Sequence, residues 1–160
     1  MKITHQLAIA CALSFIAFFA AVPSNAHEIK LGNLVIHHPW IKQPPGGAEV
    51  AGAYTTIDNN GKEDDTLLSI AVDGASMTMI HEMKMEGDVM KMHEVQGGLT
   101  IPAGKTVELQ PKSYHVMLMG LKAPFMEGEE VKGSLTFAKA GKVDVDFEVV
   151  AASANAPMKH

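Results

Sequence analysis

Methionine and histidine are spaced in this chain so that they can hold a soft metal ion. Six methionines fall between Met77 and Met92, and Met77, Met79, Met83 and Met85 alternate with His81 along odd-numbered positions. Alternate residues of an extended strand share a face, so this run would project five potential donors to one side. A turn centred on Glu86-Gly87 would fold residues 89–95 back onto it. With a loop over residues 85–88, Lys84 would pair with Val89, Met83 would face Met90 and His81 would face Met92. Opposed β-carbons in such a pair lie ~5 Å apart, near enough for both side chains to reach one ion. A second element, His115-Val116-Met117-Leu118-Met119, again puts His115, Met117 and Met119 on one face. A hairpin offering His and Met, joined by a strand offering His-x-Met, can close a four-coordinate site.

The donors select the metal. Thioethers are soft and neutral, poorly matched to Zn(II) or Ca(II) and well matched to Cu(I), while imidazole serves either copper oxidation state. A monovalent ion suits a shell with no thiolate or carboxylate. Met is also a common filler of irregular cores, and a single His is ordinarily a surface or hydrogen-bonded core residue. The joint pattern is what argues for metal, because a packing face seldom sets His in a row of Met twice.

The elements that must position these donors read as strands. Short runs rich in Val, Ile, Thr and aromatics recur about every ten residues between Gly, Pro, Asn and Asp, the signature of an all-β sandwich or barrel. The expected strands are 34–37, 53–57, 66–72, 77–83, 89–95, 99–101, 106–109, 115–119, 133–137 and 143–149. The last is clearest: Val143, Val145, Phe147 and Val149 alternate with Asp144, Asp146 and Glu148, giving one buried and one wet face. Pro39, Pro44, Pro45, Gly46 and Gly47 are expected to form an irregular connection after the first strand. No amphipathic helix, internal repeat or domain linker follows the leader.

The ends and the composition narrow the setting. Lys2, an apolar run over residues 7–22 and Pro23-Ser24-Asn25-Ala26 form a secretory signal peptide with a small-x-small cleavage site. Residues 1–26 are therefore expected to be removed, leaving a periplasmic chain that begins at His27, a β-domain over 27–150 and a mobile tail over 151–160. No other stretch approaches the ~20 apolar residues of a membrane span. The only cysteine, Cys11, sits in the middle of the leader, too early for a lipoprotein cleavage site, so the exported domain has no disulfide, thiolate nucleophile or cysteine ligand. Blue-copper electron transfer, which requires Cys, is excluded. With no arginine, and twelve lysines against eighteen acids after the leader, nucleic acid is not an expected partner. The serines show no nucleophile-elbow pattern, Gly46-Gly47 and Gly97-Gly98 lack a phosphate-loop setting, and no enzyme activity is expected.

From residue 27 to residue 150 the chain resembles the periplasmic copper chaperones of the PCu(A)C type. The resemblance rests on His37-His38-Pro39-Trp40, His81-Glu82-Met83, Val89-Met90-Lys91-Met92, Ile101-Pro102-Ala103-Gly104 and the run from Tyr114 to Leu121. The family's metal pattern is His, ten residues, Met, about twenty-one residues, then His-x-Met. Here ten residues separate His81 from Met92, and twenty-two separate Met92 from His115, with Met117 completing the pattern. Strand parity leaves Met90 and Met92 equivalent, and the spacing from His81 selects Met92. His93 departs from the family pattern and reads as surface, its parity pointing it away from Met92. The resemblance implies a cupredoxin-like Greek-key β-sandwich with a solvent-accessible Cu(I) site of His81, Met92, His115 and Met117 near one end. It also implies delivery to a copper-accepting protein, such as the cytochrome c oxidase subunit carrying the dinuclear copper site, or to another copper chaperone.

Two other readings compete. His27, as a free amino terminus, could chelate Cu(II) beside His37 or His38 and support oxidative chemistry, or the domain could be structural and metal-free. A second, weaker Cu(II) site is also expected at the ends, from His27 with Met158 and His160, because nitrogen donors suit the oxidised ion.

Overall fold

The computed structural model describes residues 28–154, and none of them is helical. Eleven strands follow in order: β1 (Glu28–Leu31), β2 (Leu34–Lys42), β3 (Val50–Asn59), β4 (Asp65–Val72), β5 (Ala75–Glu86), β6 (Val89–Glu94), β7 (Leu99–Ile101), β8 (Thr106–Leu109), β9 (His115–Leu121), β10 (Glu130–Phe137) and β11 (Gly141–Val150). No helix of the described residues is long and apolar enough to cross a membrane.

The ladder runs β6-β5-β9-β3-β2-β11-β10-β4-β7, with β1 paired to β2 and β8 to β3. Strands β2 and β11 pair in parallel, Glu148 beside Trp40 and Val150 beside Lys42; the other pairs are antiparallel. The ladder curls until β4 and β5 approach, where the Thr78 hydroxyl donates to the Ile70 carbonyl. The result is the all-β sandwich that the alternation implied, cupredoxin-like as the family resemblance implied.

Burial drives the closure. Ile36, Ile41, Ile57, Leu67, Ile101, Leu118, Leu135 and Phe147 are fully shielded between the two layers. In β11, Val145, Phe147 and Val149 point inward while Asp144, Asp146 and Glu148 stay at the surface. Each buried side chain of this size contributes about 1.5–3 kcal/mol by leaving water, which is why the period-two pattern fixes the faces so firmly.

The structure departs from expectation at the amino-terminal end. Strand β1 was not expected, because four residues next to a leader give too short a pattern; it forms a hairpin through Gly32-Asn33, with Gly32 at φ +59°. Strand β2 does not stop at His37. It continues through a bulge in which His37 pairs with Thr56 and Trp40 with Tyr54, leaving His38 and Pro39 as the irregular step. A proline, with no N–H to donate, fits a strand where the ladder is already broken. His38 takes the strain with φ +42°.

Candidate metal centre

Strands β5 and β9 carry the donors. Their register sets Thr78 beside Leu118 and Ile80 beside Val116 on the core side, and Leu118, Ile80 and Val116 are buried there. The alternate positions must then face outward: Met77 beside Met119, Met79 beside Met117 and His81 directly beside His115. The two imidazole rings stand edge to face, centroids 5.7 Å apart and planes 82° apart. Two imidazoles bonded to one ion at ~2 Å would hold their centroids roughly 5–6 Å apart.

Each ring is prepared differently. His115 is 8% exposed, and its Nδ1 lies 3.1 Å from the Ser113 carbonyl. A carbonyl only accepts, so Nδ1 carries the proton and Nε2 of the neutral ring keeps its lone pair for a metal. The same carbonyl accepts the Met83 N–H at 3.3 Å, tying the His115 ring to β5. His81 has a buried Nδ1 with no hydrogen-bond partner. Buried nitrogens are nearly always paired, so an orphan next to a second imidazole fits a missing ligand bond. Burial, and then the neighbouring His115, hold His81 below the usual imidazole pKa, against the pull of Glu94. Both effects favour the neutral ring, the form that binds metal.

The sulfur donors fall on either side of this pair. Met117 is two residues along β9 from His115 and lies beside Gly52 of β3. Gly52 leaves room for Tyr54, whose hydroxyl would collide with any β-carbon placed there; the Tyr54 ring packs on Trp40 with centroids 4.3 Å apart. Met92 is not opposite His81, contrary to the expected pairing. Glu94 takes that place, Met92 pairs with Met83 and Met90 with Met85. The reason is the turn: Gly87-Asp88 makes a two-residue connection with Gly87 at φ +64°, where a four-residue loop was expected, so Glu86 pairs with Val89. Glycine with positive φ at the first central position matches the strand twist, and such tight hairpins outcompete longer loops. The slip is two residues, so parity survives and Met92 still shares the face of His81, diagonal to it. Met90 lies one step farther toward the tip.

Other histidines point elsewhere. His93 is on the opposite face, its Nε2 2.8 Å from Glu86. His37 contacts Asp58 at 2.8 Å on a strand separated from β9 by β3. His27, Met158 and His160 lie outside the described residues. Among the described residues no group of three or more His, Cys, Asp or Glu could hold a metal ion, so a site here must draw on sulfur. The Ser113 carbonyl and Glu94 are the parts that sequence reasoning missed. A backbone acceptor leaves no mark in residue type, whereas Glu94 would have followed from assuming the tighter turn.

A model of the family described as putative lipoprotein LpqE-like matches residues 34–149. The chain belongs to the LpqE-like family. A putative lipoprotein of Leifsonia xyli subsp. xyli is 32% identical to this LpqE-like chain over 99 residues, which are 62% of the chain and 58% of that relative, less than two thirds of its length. Among solved structures, the copper-bound PCuAC domain from PmoF2 is 25% identical at a TM-score of 0.67, covering 78% of this chain and 98% of that domain. The Cu(I) form of DR1885 from Deinococcus radiodurans is 28% identical at a TM-score of 0.58, covering 82% of this chain and 85% of that one. The LpqE-like chain thus shares its fold with PCuAC domains seen with copper bound. Its one cysteine, Cys11, is outside the described residues.

Proposed function

We propose that this protein is an exported copper carrier that binds one Cu(I) tightly through His81, His115, Met117 and Met92 and passes it to an acceptor without turnover. The observation that carries the reading is the adjacent, edge-to-face His81–His115 pair, one ring locked by Ser113 with Nε2 free and the other with an orphaned nitrogen, set among thioethers. Neutral imidazole and thioether together favour the reduced, monovalent ion. The copper-bound relatives of the same fold support that choice, and the lipoprotein names of the sequence relatives support export. The resemblance of the metal pattern makes the dinuclear copper site of cytochrome c oxidase the proposed acceptor. Thioether ligands on flexible stems at a strand surface permit hand-over, because an incoming ligand can join the ion before Met92 or Met117 leaves it.

The test is a Cu(I) titration under ascorbate against a competing chelator, with Met92→Leu, Met117→Leu and the control Met119→Leu. The first two remove a sulfur while conserving size, so copper affinity should drop at least tenfold while stability changes by less than ~1.5 kcal/mol. Met119→Leu should bind like the unaltered protein. If Met92→Leu and Met117→Leu also do, the quartet is wrong.

We also propose a weaker Cu(II) site at the chain ends, from His27, Met158 and His160. Removing residues 151–160 should reduce the bound Cu(II) seen by absorption spectroscopy. An unchanged Cu(II) titration would eliminate this site.

A further inference from the structure

Past His81, strand β5 runs on with β6 as a two-stranded arm whose two faces differ completely. On one face Glu86 meets Lys91 at 2.6 Å and His93 at 2.8 Å, and Glu82 meets Lys84 at 2.6 Å. On the other, Met83 is paired with Met92 and Met85 with Met90. All six residues of β6 are exposed, as are the tip positions of β5. Met85 is 59% exposed, Met92 47% and Met90 43%.

That exposure removes the ordinary explanation for methionine. A side chain used to fill a core is out of water, and these are in it. Leaving several thioethers in water beside a pair of copper-competent histidines calls for another account, and the pairing supplies one. Directly opposed residues have β-carbons ~5 Å apart and same-strand neighbours on one face roughly 7 Å apart, so the flexible Met side chains of adjacent pairs can converge on one ion. A donor set of sulfur alone, neutral and soft, selects Cu(I) over Cu(II), Zn(II) or Ca(II).

We propose that Met83, Met85 and Met90 form a second, all-thioether Cu(I) site on the arm, joined to the histidine centre through Met92, which can serve either. An ion captured at the exposed tip moves inward by exchanging one neutral sulfur for another and then for imidazole. It remains Cu(I) throughout, and no proton or electron is transferred. Glu94, opposite His81 on the same face, places a negative charge where two cations would sit near each other. The proposal rests on the reading of the domain as a Cu(I) carrier and adds a port of entry or exit to it.

The experiment loads the full exported chain with excess Cu(I) under ascorbate and reads bound copper by non-denaturing mass spectrometry. It is paired with NMR of the methionine ε-methyl groups. The unaltered chain should carry two coppers and Met85→Leu/Met90→Leu one, while His115→Ala should lose the tight copper and keep the arm's. The ε-methyls of Met85 and Met90 should shift on the second equivalent, while those of Met77 and Met119, at the far end of the same face, stay in place. A single copper on the unaltered chain, two on the double leucine variant, or unmoved Met85 and Met90 methyls would each overturn the arm site and leave the histidine centre standing. No copper at all on the unaltered chain would overturn both.

Discussion

At the scale of single residues, the donor face was legible because it depends only on parity. His81, Met83, Met85, Met90 and Met92 share a side for any turn with an even number of residues between the strands, and that held because every expected pairing was displaced by two residues and not by one. What parity cannot supply is the neighbour across the ladder or the orientation of a ring. His115 is aimed by a backbone carbonyl, Ser113, which any residue type would provide in that conformation. This also explains why the leucine substitutions are informative. Met117 lies one step along β9 from an oriented imidazole, and Met119 two steps, beside Met77, so the same change in chemistry is expected to cost copper affinity at one position and nothing at the other.

At the scale of elements, strands with a full period-two pattern, such as β11, could be read from their residues. Strands that needed a partner to be recognised could not. Strand β1 exists because β2 offers an edge, and β2 outlasts Pro39 because Trp40 gains Tyr54 and Val150 as neighbours. Ala154 joins that aromatic cluster just beyond β11. The cluster bounds the donor face on the β3 side and depends on a missing side chain. A β-carbon on Gly52 would approach the Tyr54 ring at 2.9 Å as well as its hydroxyl, and the stacked Trp40 leaves the ring little freedom to retreat. Gly52→Ala should therefore cost about 1–3 kcal/mol as an overpacking change. Because Trp40 is the only tryptophan, its emission should shift as well. Unaltered melting together with unaltered Trp40 emission would refute this account of the cluster.

At the scale of the whole molecule, the layer holding the donors is stable only if the opposite layer packs against it, and a single carboxylate at the start of β4 braces that opposite layer. Asp65 is buried; its Oδ1 accepts the Thr66 N–H at 2.7 Å and the Lys139 N–H at 2.9 Å, and its Oδ2 accepts the Ala140 N–H at 2.9 Å. It thereby fastens β4 to the turn between β10 and β11, at the far side of the ladder from the metal face. Burial alone would raise its pKa, but the three backbone donors and the nearby Lys139 outweigh burial and hold it below the ordinary carboxylate value. A carboxylate whose folded pKa is depressed contributes stability that is fully present above the unfolded value of about 3.9 and is lost as pH falls through the folded value. Asp65→Asn replaces one accepting oxygen with an amide that only donates, so at least one part-buried N–H loses its partner. The variant should be less stable than the unaltered copper-free protein at pH 7 by about 1.5–3 kcal/mol, the cost of losing charge-assisted bonds to part-buried donors. Below pH ~4 the unfolded chain takes up its proton before folded Asp65 does, so the gap should narrow from there and the two denaturation midpoints should converge once pH has passed the depressed folded value. A gap that stays constant from pH 7 down to pH 2.5 would mean that the clamp acts by shape alone and not by charge.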